Sequence, residues 1–270
     1  MTKISFGLVV YNEQNLIRRC LESIKDIADE IILVHDGECT DKTLEIAREF
    51  TDKVHVRTRQ GGSDPHRIFI LEQAQNDWVF MIDADEFLSD KLKNFLQHDT
   101  LDRTLGAYAF KWPLWDGERY VTASNYRPCL FNRSKAWMIG LHNFSIHTVG
   151  KTQKVDCILE HQPKQSKVAW GRFSGQLRNR IDRDAAYFSK GFSNLEKFNA
   201  DLIPADFQDW YKRYLNHPVF YSYFNFVYYL LGSLKNAWKD GWYGFIISMQ
   251  IAVYQYKLAK RINSLKKNQY

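Results

Sequence analysis

The chain has 270 residues, 45% of them hydrophobic and 25% charged, a balance that excludes a disordered or fibrous protein and allows one large or two modest globular domains. Lys and Arg outnumber Asp and Glu by 37 to 31, so the net charge of +6 suits an anionic partner such as a nucleotide, a membrane surface or nucleic acid. Cys20, Cys39, Cys129 and Cys157 are too scattered for a zinc or CxxC site and read as reduced thiols of a cytoplasmic protein, and the first residues read as a strand, not a signal peptide.

In chain order, residues 4–10 are apolar and β-branched, a first strand, ended by Tyr11-Asn12-Glu13. Leu16, Ile17, Cys20, Leu21 and Ile24 recur on one face of a helix. Residues 31–34 form a second strand, closed by a polar turn from His35 to Cys39. Thr40 or Asp41 then caps a helix carrying Leu44, Ala47 and Phe50. Residues 54–56 are a third strand, residues 61–65 a loop by their turn chemistry, and residues 65–75 a helix. Residues 78–82 are an uninterrupted apolar run, a strand buried on both faces, stopped by Asp83, Asp85 and Glu86; Ser89 then caps a helix over 90–97. Strands and helices alternating at this spacing predict parallel βαβ units.

Beyond the acidic loop, residues 107–112, 120–122, 129–131 and 155–159 are short strands without intervening helices, a mixed or antiparallel extension of the sheet. From about residue 162 the chain turns helical, through Lys167 to Lys190, and two aromatic-rich uncharged stretches follow at 218–234 and 241–256. The expected division is therefore 1–162, a nucleotide-binding and catalytic domain, and 163–270, a helical region. Each aromatic stretch is shorter than the roughly 20 apolar residues of a spanning helix. The basic residues after Tyr256 favour a helical pair lying on the anionic inner face of the cytoplasmic membrane; packing on the sheet domain, or a homodimer, is the alternative.

Parallel topology brings the loops at 11–13, 35–36 and 83–86 to one edge of the sheet, where ligands of open α/β sheets bind. All three carry acids. Asp83 and Asp85, two residues apart in extended chain, point the same way and can converge on one hard cation, Mg²⁺ or Mn²⁺. The Arg67 fork suits a diphosphate. Acids at this edge would repel the phosphates of a nucleic acid, so no nucleic-acid partner is expected.

The segments V-V-Y-N-E at 9–13, D-G-E-C-T-D-K-T at 36–43 and D-W-V-F-M-I-D-A-D-E at 77–86 together resemble the family 2 inverting glycosyltransferases of the GT-A fold, an α/β, Rossmann-like fold with a mixed, mainly parallel sheet flanked by helices. The segment L-F-N-R-S-K-A-W-M-I-G-L-H at 130–142 and the aromatic C-terminal region resemble the branch containing lipopolysaccharide-core glucosyltransferases. The resemblance implies a nucleotide-sugar donor, a glycan or glycolipid acceptor and a divalent metal. Carried over by position, Val10, Tyr11, Asn12 and Glu13 flank the base, and Asp36 bonds base or ribose. Asp83, Ala84 and Asp85 meet ribose and metal, with Asp85 the direct ligand.

An inverting transfer also needs a carboxylate base. The similar branch often carries a His-Glu pair where this chain has His142-Asn143, so the candidates are Asp116, then Glu118 and Glu86, with Trp112 and Trp115 as acceptor contacts and His142 or His147 as a third metal ligand. Two rivals remain on the sequence: a non-catalytic nucleotide-sugar-binding protein, and a metal-dependent phosphohydrolase, which would need its DxD near the first strand. A sugar nucleotidylyltransferase fits less well, because its glycine-rich first loop is missing.

Overall fold

The computed structural model describes residues 2–122, 125–142, 144–163 and 170–267. The chain divides into two compact units. One comprises Met1–Pro113, Tyr126–Lys164 and Glu196–Leu202; the other comprises Leu114–Asn125, Gln165–Leu195 and Ile203–Tyr270. A single cut at 162 groups 114–125 with the sheet and 196–202 with the helices, whereas the compact units group them the other way.

The first unit opens as β1 (Ile4–Val10), α1 (Ile17–Ile24), β2 (Glu30–Asp36), α2 (Thr43–Arg48), β3 (Val54–Arg57), α3 (Asp64–Gln73) and β4 (Trp78–Met81). It continues as β5 (Glu86–Leu88), α4 (Asp90–His98), β6 (Ala107–Lys111), β7 (Tyr126–Asn132), β8 (Ala136–Ile139), β9 (His147–Thr148), β10 (Thr152–His161) and β11 (Lys197–Phe198). Eight strands form one sheet in the order β3-β2-β1-β4-β7-β6-β10-β5, and β11-β8-β9 form a small antiparallel sheet. β3, β2, β1 and β4 are mutually parallel. β7 runs antiparallel to β4 and β6, and β10 runs parallel to β6. This is the mixed, mainly parallel sheet flanked by helices that the alternating pattern predicts.

The central strands are mostly apolar because both faces are covered. From β2, Ile31 and Leu33 enter one core with Phe6, Leu8, Ile17, Leu21, Trp78 and Phe80. Ile32 and Val34 point oppositely, into a second core with Ile68, Ile70, Val79 and Met81. Gly7 sits in β1 because α3 passes too close for a side chain: a Cβ there would lie 2.4 Å from Cγ2 of Ile70.

Local structure differs from the expected pattern in four places, and β5, β8, β9 and β11 owe theirs to pairing with remote partners. Residues 120–122 form no strand; Trp115 and Tyr120 meet in an isolated bridge. β5 forms immediately after the acids because Glu86, Phe87 and Leu88 pair with β10. β8, β9 and β11 were not foreseen, each being short and stabilised across the chain. In the second helix the first helical residue is Thr43, whose N–H bonds Asp41 Oδ1 at 2.8 Å. The Ser89 cap is as expected, its Oγ accepting the Leu92 N–H at 3.3 Å.

The second unit is helical: α5 (Trp170–Ser189), the unforeseen α6 (Ala205–Asn216), α7 (Pro218–Ala237) and α8 (Gly241–Lys267). Lys167, within the stretch expected to turn helical after residue 162, lies outside the described residues. Leu177, Ile181 and Ala185 of α5 pack with Tyr214 of α6 and Tyr254, Leu258, Ala259 and Ile262 of α8. Asp184 is buried there, accepting hydrogen bonds from Tyr254 and from Arg183 Nε. Among the described residues, no helix is long and apolar enough to cross a membrane.

Candidate active site

The site is built at the edge where β1, β2 and β4 end, all within the first unit. Asn12, just past β1, adopts a left-handed backbone at φ 51°, a conformation its short polar side chain tolerates. That twist stitches two loops together. Asn12 Nδ2 donates to Thr40 Oγ1 at 2.8 Å, Thr40 N–H donates to Asn12 Oδ1 at 2.9 Å, and Glu13 N–H donates to Thr43 Oγ1 at 2.6 Å. His35 Nδ1 bonds the Gly37 carbonyl, so its Nε2 is left to accept the Asn12 N–H at 3.3 Å. Val10 is buried, whereas the Tyr11 ring is exposed, with the Arg59 guanidinium 3.5 Å from its centroid.

Asp36 ends β2 and is committed to its own chain. Oδ1 accepts the Gln60 N–H at 2.5 Å and faces His66 Nε2 at 2.8 Å, and Oδ2 accepts the Gly61 N–H at 2.9 Å. Burial alone would raise its carboxyl; the bonds from His66 and the two backbone amides outweigh burial and hold it below the ordinary value. It fixes the loop that leads to Arg67.

After β4 the chain turns sharply, Glu86 N–H donating to the Asp83 carbonyl at 3.0 Å. The three acids then have three different environments. Asp83 lies between guanidiniums: Oδ1 accepts from Arg67 at 3.2 Å and Oδ2 from Arg127 at 3.1 Å, while Arg67 is also held by Asp64 at 2.9 Å. Glu86, 1% exposed, turns inward. It accepts the Asp83 N–H at 2.9 Å, Trp112 Nε1 at 2.6 Å and an Arg127 N–H. Burial pushes its carboxyl up to about 7 against the pull of Arg127, with Asp83 and Asp85 adding to the rise. Burial disfavours the charge on Arg127, but Glu86 and Asp83 outweigh it and raise its pKa. Ala84 is buried.

Asp85 faces the other way. Its Oδ2 lies 3.4 Å from Nε2 of His161, which is buried at the end of β10 and stacked on Trp112 at 4.2 Å. A carboxylate beside an imidazole, with Asp85 partly open to solvent, is a donor pair that fits Mg²⁺ or Mn²⁺, cations that take their remaining ligands from diphosphate oxygens and water. Asp85 and His161 would hold such an ion. Asp83 contributes its charge to the arginines instead. Among the described residues, no group of three His, Cys, Asp or Glu side chains is arranged to hold a metal by itself.

His142 is buried in the loop after β8, Asn143 lies outside the described residues, and His147 stacks on Trp137 at 4.5 Å. Asp116 and Glu118 belong to the second unit, in a turn where Asp116 Oδ1 accepts the N–H groups of Glu118 and Arg119 at 2.9 Å each. Those bonds, that of Arg119 first, hold its carboxyl below the ordinary value, so it stays ionised at neutral pH. Trp115 packs edge-on against Tyr120. Trp112 supports His161 and Glu86 from within the first unit.

Sequence reasoning missed Arg59, His66, Arg127 and His161. Arg127 sits at the start of β7, antiparallel to β4, and His161 at the end of β10, parallel to it, so the direction of these strands, which the structure decides, delivers both to the Asp83 edge.

Residues 5–152 match glycosyl transferase family 2. An uncharacterised glycosyltransferase of Rickettsia typhi is 40% identical over 98 residues, 36% of this chain and 33% of that protein. Glycosyltransferase SunS of Bacillus phage SPbeta is 26% identical over 234 residues, 73% of this chain and 54% of SunS. The chain thus spans about a third to a half of the length of these curated relatives. Among solved structures, S. aureus TarS 1-349 is similar at a TM-score of 0.43 and 15% identity, covering 100% of this chain and 93% of that one. Glucosyl-3-phosphoglycerate synthase from Mycobacterium tuberculosis, in complex with Mn²⁺, UDP and glucosyl-3-phosphoglycerate, is similar at 0.44 and 15%, covering 67% and 78%. The match over more than half its length places this chain in glycosyl transferase family 2.

Proposed function

We propose that the chain transfers a sugar, with inversion, from a nucleotide-sugar donor to a hydroxyl of a glycolipid or cell-surface polysaccharide precursor, as in the lipopolysaccharide-core branch that residues 130–142 resemble. The observation that carries this reading is the division of labour in one turn: Asp83 gripped by Arg67 and Arg127, Asp85 beside His161. A bound Mg²⁺ or Mn²⁺ would neutralise charge developing on the departing diphosphate. Arg67 supplies a second, fixed cation for the same group. Tyr11, backed by Arg59, offers a face for the base, and the loops stitched by Asn12 and Asp36 frame the nucleoside. Glu86 has both oxygens engaged and holds the turn rather than taking the acceptor proton. A glycolipid acceptor implies work at the inner face of the cytoplasmic membrane.

A donor panel tests the reading by release of nucleoside diphosphate. One donor is expected to give release that a chelator abolishes and Mg²⁺ or Mn²⁺ restores. No release with any donor overturns it, and nucleotide binding without release would leave the chain a non-catalytic nucleotide-sugar-binding protein.

A further inference from the structure

The charge of this molecule is unevenly placed. The helical unit carries 16 Lys and Arg against 7 Asp and Glu, net +9, whereas the sheet unit carries 21 against 24, net −3. The exposed apolar surface follows the charge. Phe220, Tyr223, Phe224, Val227, Tyr228 and Leu231 are all exposed on α7, at spacings of three and four that put them on one face. Their rings form an outward ladder: Phe220 stacks on Phe224 and Phe224 on Tyr228, at 6.2 and 5.7 Å. At the turn into α8, Trp238 and Trp242 stand 67% and 69% exposed. A contiguous stripe of large apolar side chains on one helix is more than scattered surface hydrophobics require.

Cations frame this stripe. Lys212 and Arg213 are exposed just before α7, and Lys235 and Lys239 are exposed at its far end. Between α5 and α8, Arg178, Lys257, Lys260 and Arg261 line a groove of about 470 Å³ floored by Leu177 and Ile181. Its acid, Asp182, forms an ion pair with Arg261 at 2.6 Å. Groove and stripe are continuous, because Lys260 lies over the Tyr256 ring and Tyr256 packs against Tyr223. Tyr and Trp seek the headgroup level, and flanking cations seek anionic headgroups. A second copy of the chain on this face would bring another unit of net +9 against it.

We propose that the α7 stripe and the Trp238–Trp242 turn lie in the headgroup layer of an anionic bilayer, with the surrounding Lys and Arg on its phosphates. This deepens the glycolipid reading and rests on it for its purpose. Vesicle binding is measured without donor or acceptor, so either reading can fail alone.

The test is flotation of the full chain with phosphatidylcholine vesicles, with and without about 30% phosphatidylglycerol. Binding is expected only to the anionic vesicles, falling at least about tenfold between roughly 0.05 and 0.5 M salt. Phe224→Ser with Leu231→Ser should cut binding at least about tenfold. Lys235→Glu with Lys239→Glu should weaken it while leaving the apolar stripe whole. Thermal melting and nucleoside diphosphate affinity should stay unchanged in both variants. Tryptophan emission should shift to the blue and be quenched by brominated lipids. The proposal is overturned if the intact chain ignores anionic vesicles, if both variants float like the parent, or if sedimentation shows a dimer that the serine variant dissolves while vesicles are not bound.

Discussion

The two units treat charge in opposite ways. In the sheet unit the charged side chains at the site are turned on one another: Asp83 between Arg67 and Arg127, Glu86 beneath Arg127, Asp36 on His66. In the helical unit Lys235, Lys239, Lys257 and Lys260 are exposed, and Phe224, Tyr228, Trp238 and Trp242 are exposed as well. An acid in the low-dielectric edge of a sheet must be paired or protonated, whereas a cation on a helix surface keeps its hydration until something displaces it. Fixed, paired charges are therefore the mark of a preorganised site, and exposed cations beside exposed rings the mark of a surface awaiting a partner.

That contrast breaks first at Arg127. Arg127→Met strands Glu86 as a buried charge and should cost about 3–5 kcal/mol of stability at pH 8, measured by denaturant unfolding. A loss below about 1 kcal/mol would show that the pair is not buried in solution. Asp85→Asn should instead keep the fold and lower nucleoside diphosphate release about 10²–10³-fold, about 3–4 kcal/mol; full activity in that variant would refute the metal role.

Glu86 sharpens the comparison through pH. Its folded value near 7 lies above its ordinary value of 4.5, so its contribution is complete below 4.5 and is lost as pH rises towards 7. Stability should therefore fall by up to about 3 kcal/mol across that window, and Glu86→Gln should flatten the slope. An unchanged slope in Glu86→Gln would mean the carboxyl titrates normally. Asp36→Ala leaves His66 and two backbone amides without their acceptor, so nucleoside diphosphate affinity should drop by about 1–3 kcal/mol in calorimetry. The smallest effect belongs to the other unit: the Phe224→Ser, Leu231→Ser pair should change stability by less than about 0.5 kcal/mol, because neither side chain is buried.

By itself the sequence determined the parallel βαβ half of the sheet, the apolar strand ending at Asp83, and the three loops gathered at its carboxyl edge. These follow from local signals: continuous apolar runs, a helical period, Ser89 as a cap, acids where a strand stops. The tertiary structure alone decided what each acid does. Asp83, Asp85 and Glu86 are near neighbours in sequence, yet one meets two arginines, one a histidine and one a buried pocket, because Arg127, Trp112 and His161 arrive from strands paired at a distance. Which way β7 and β10 run, and in what register, depends on non-local hydrogen bonds that no window of residues carries. The same holds for the aromatic helices: residues 218–234 announce helix and apolar side chains, but only packing of α7 on α8 shows which rings are covered and which stay in solvent.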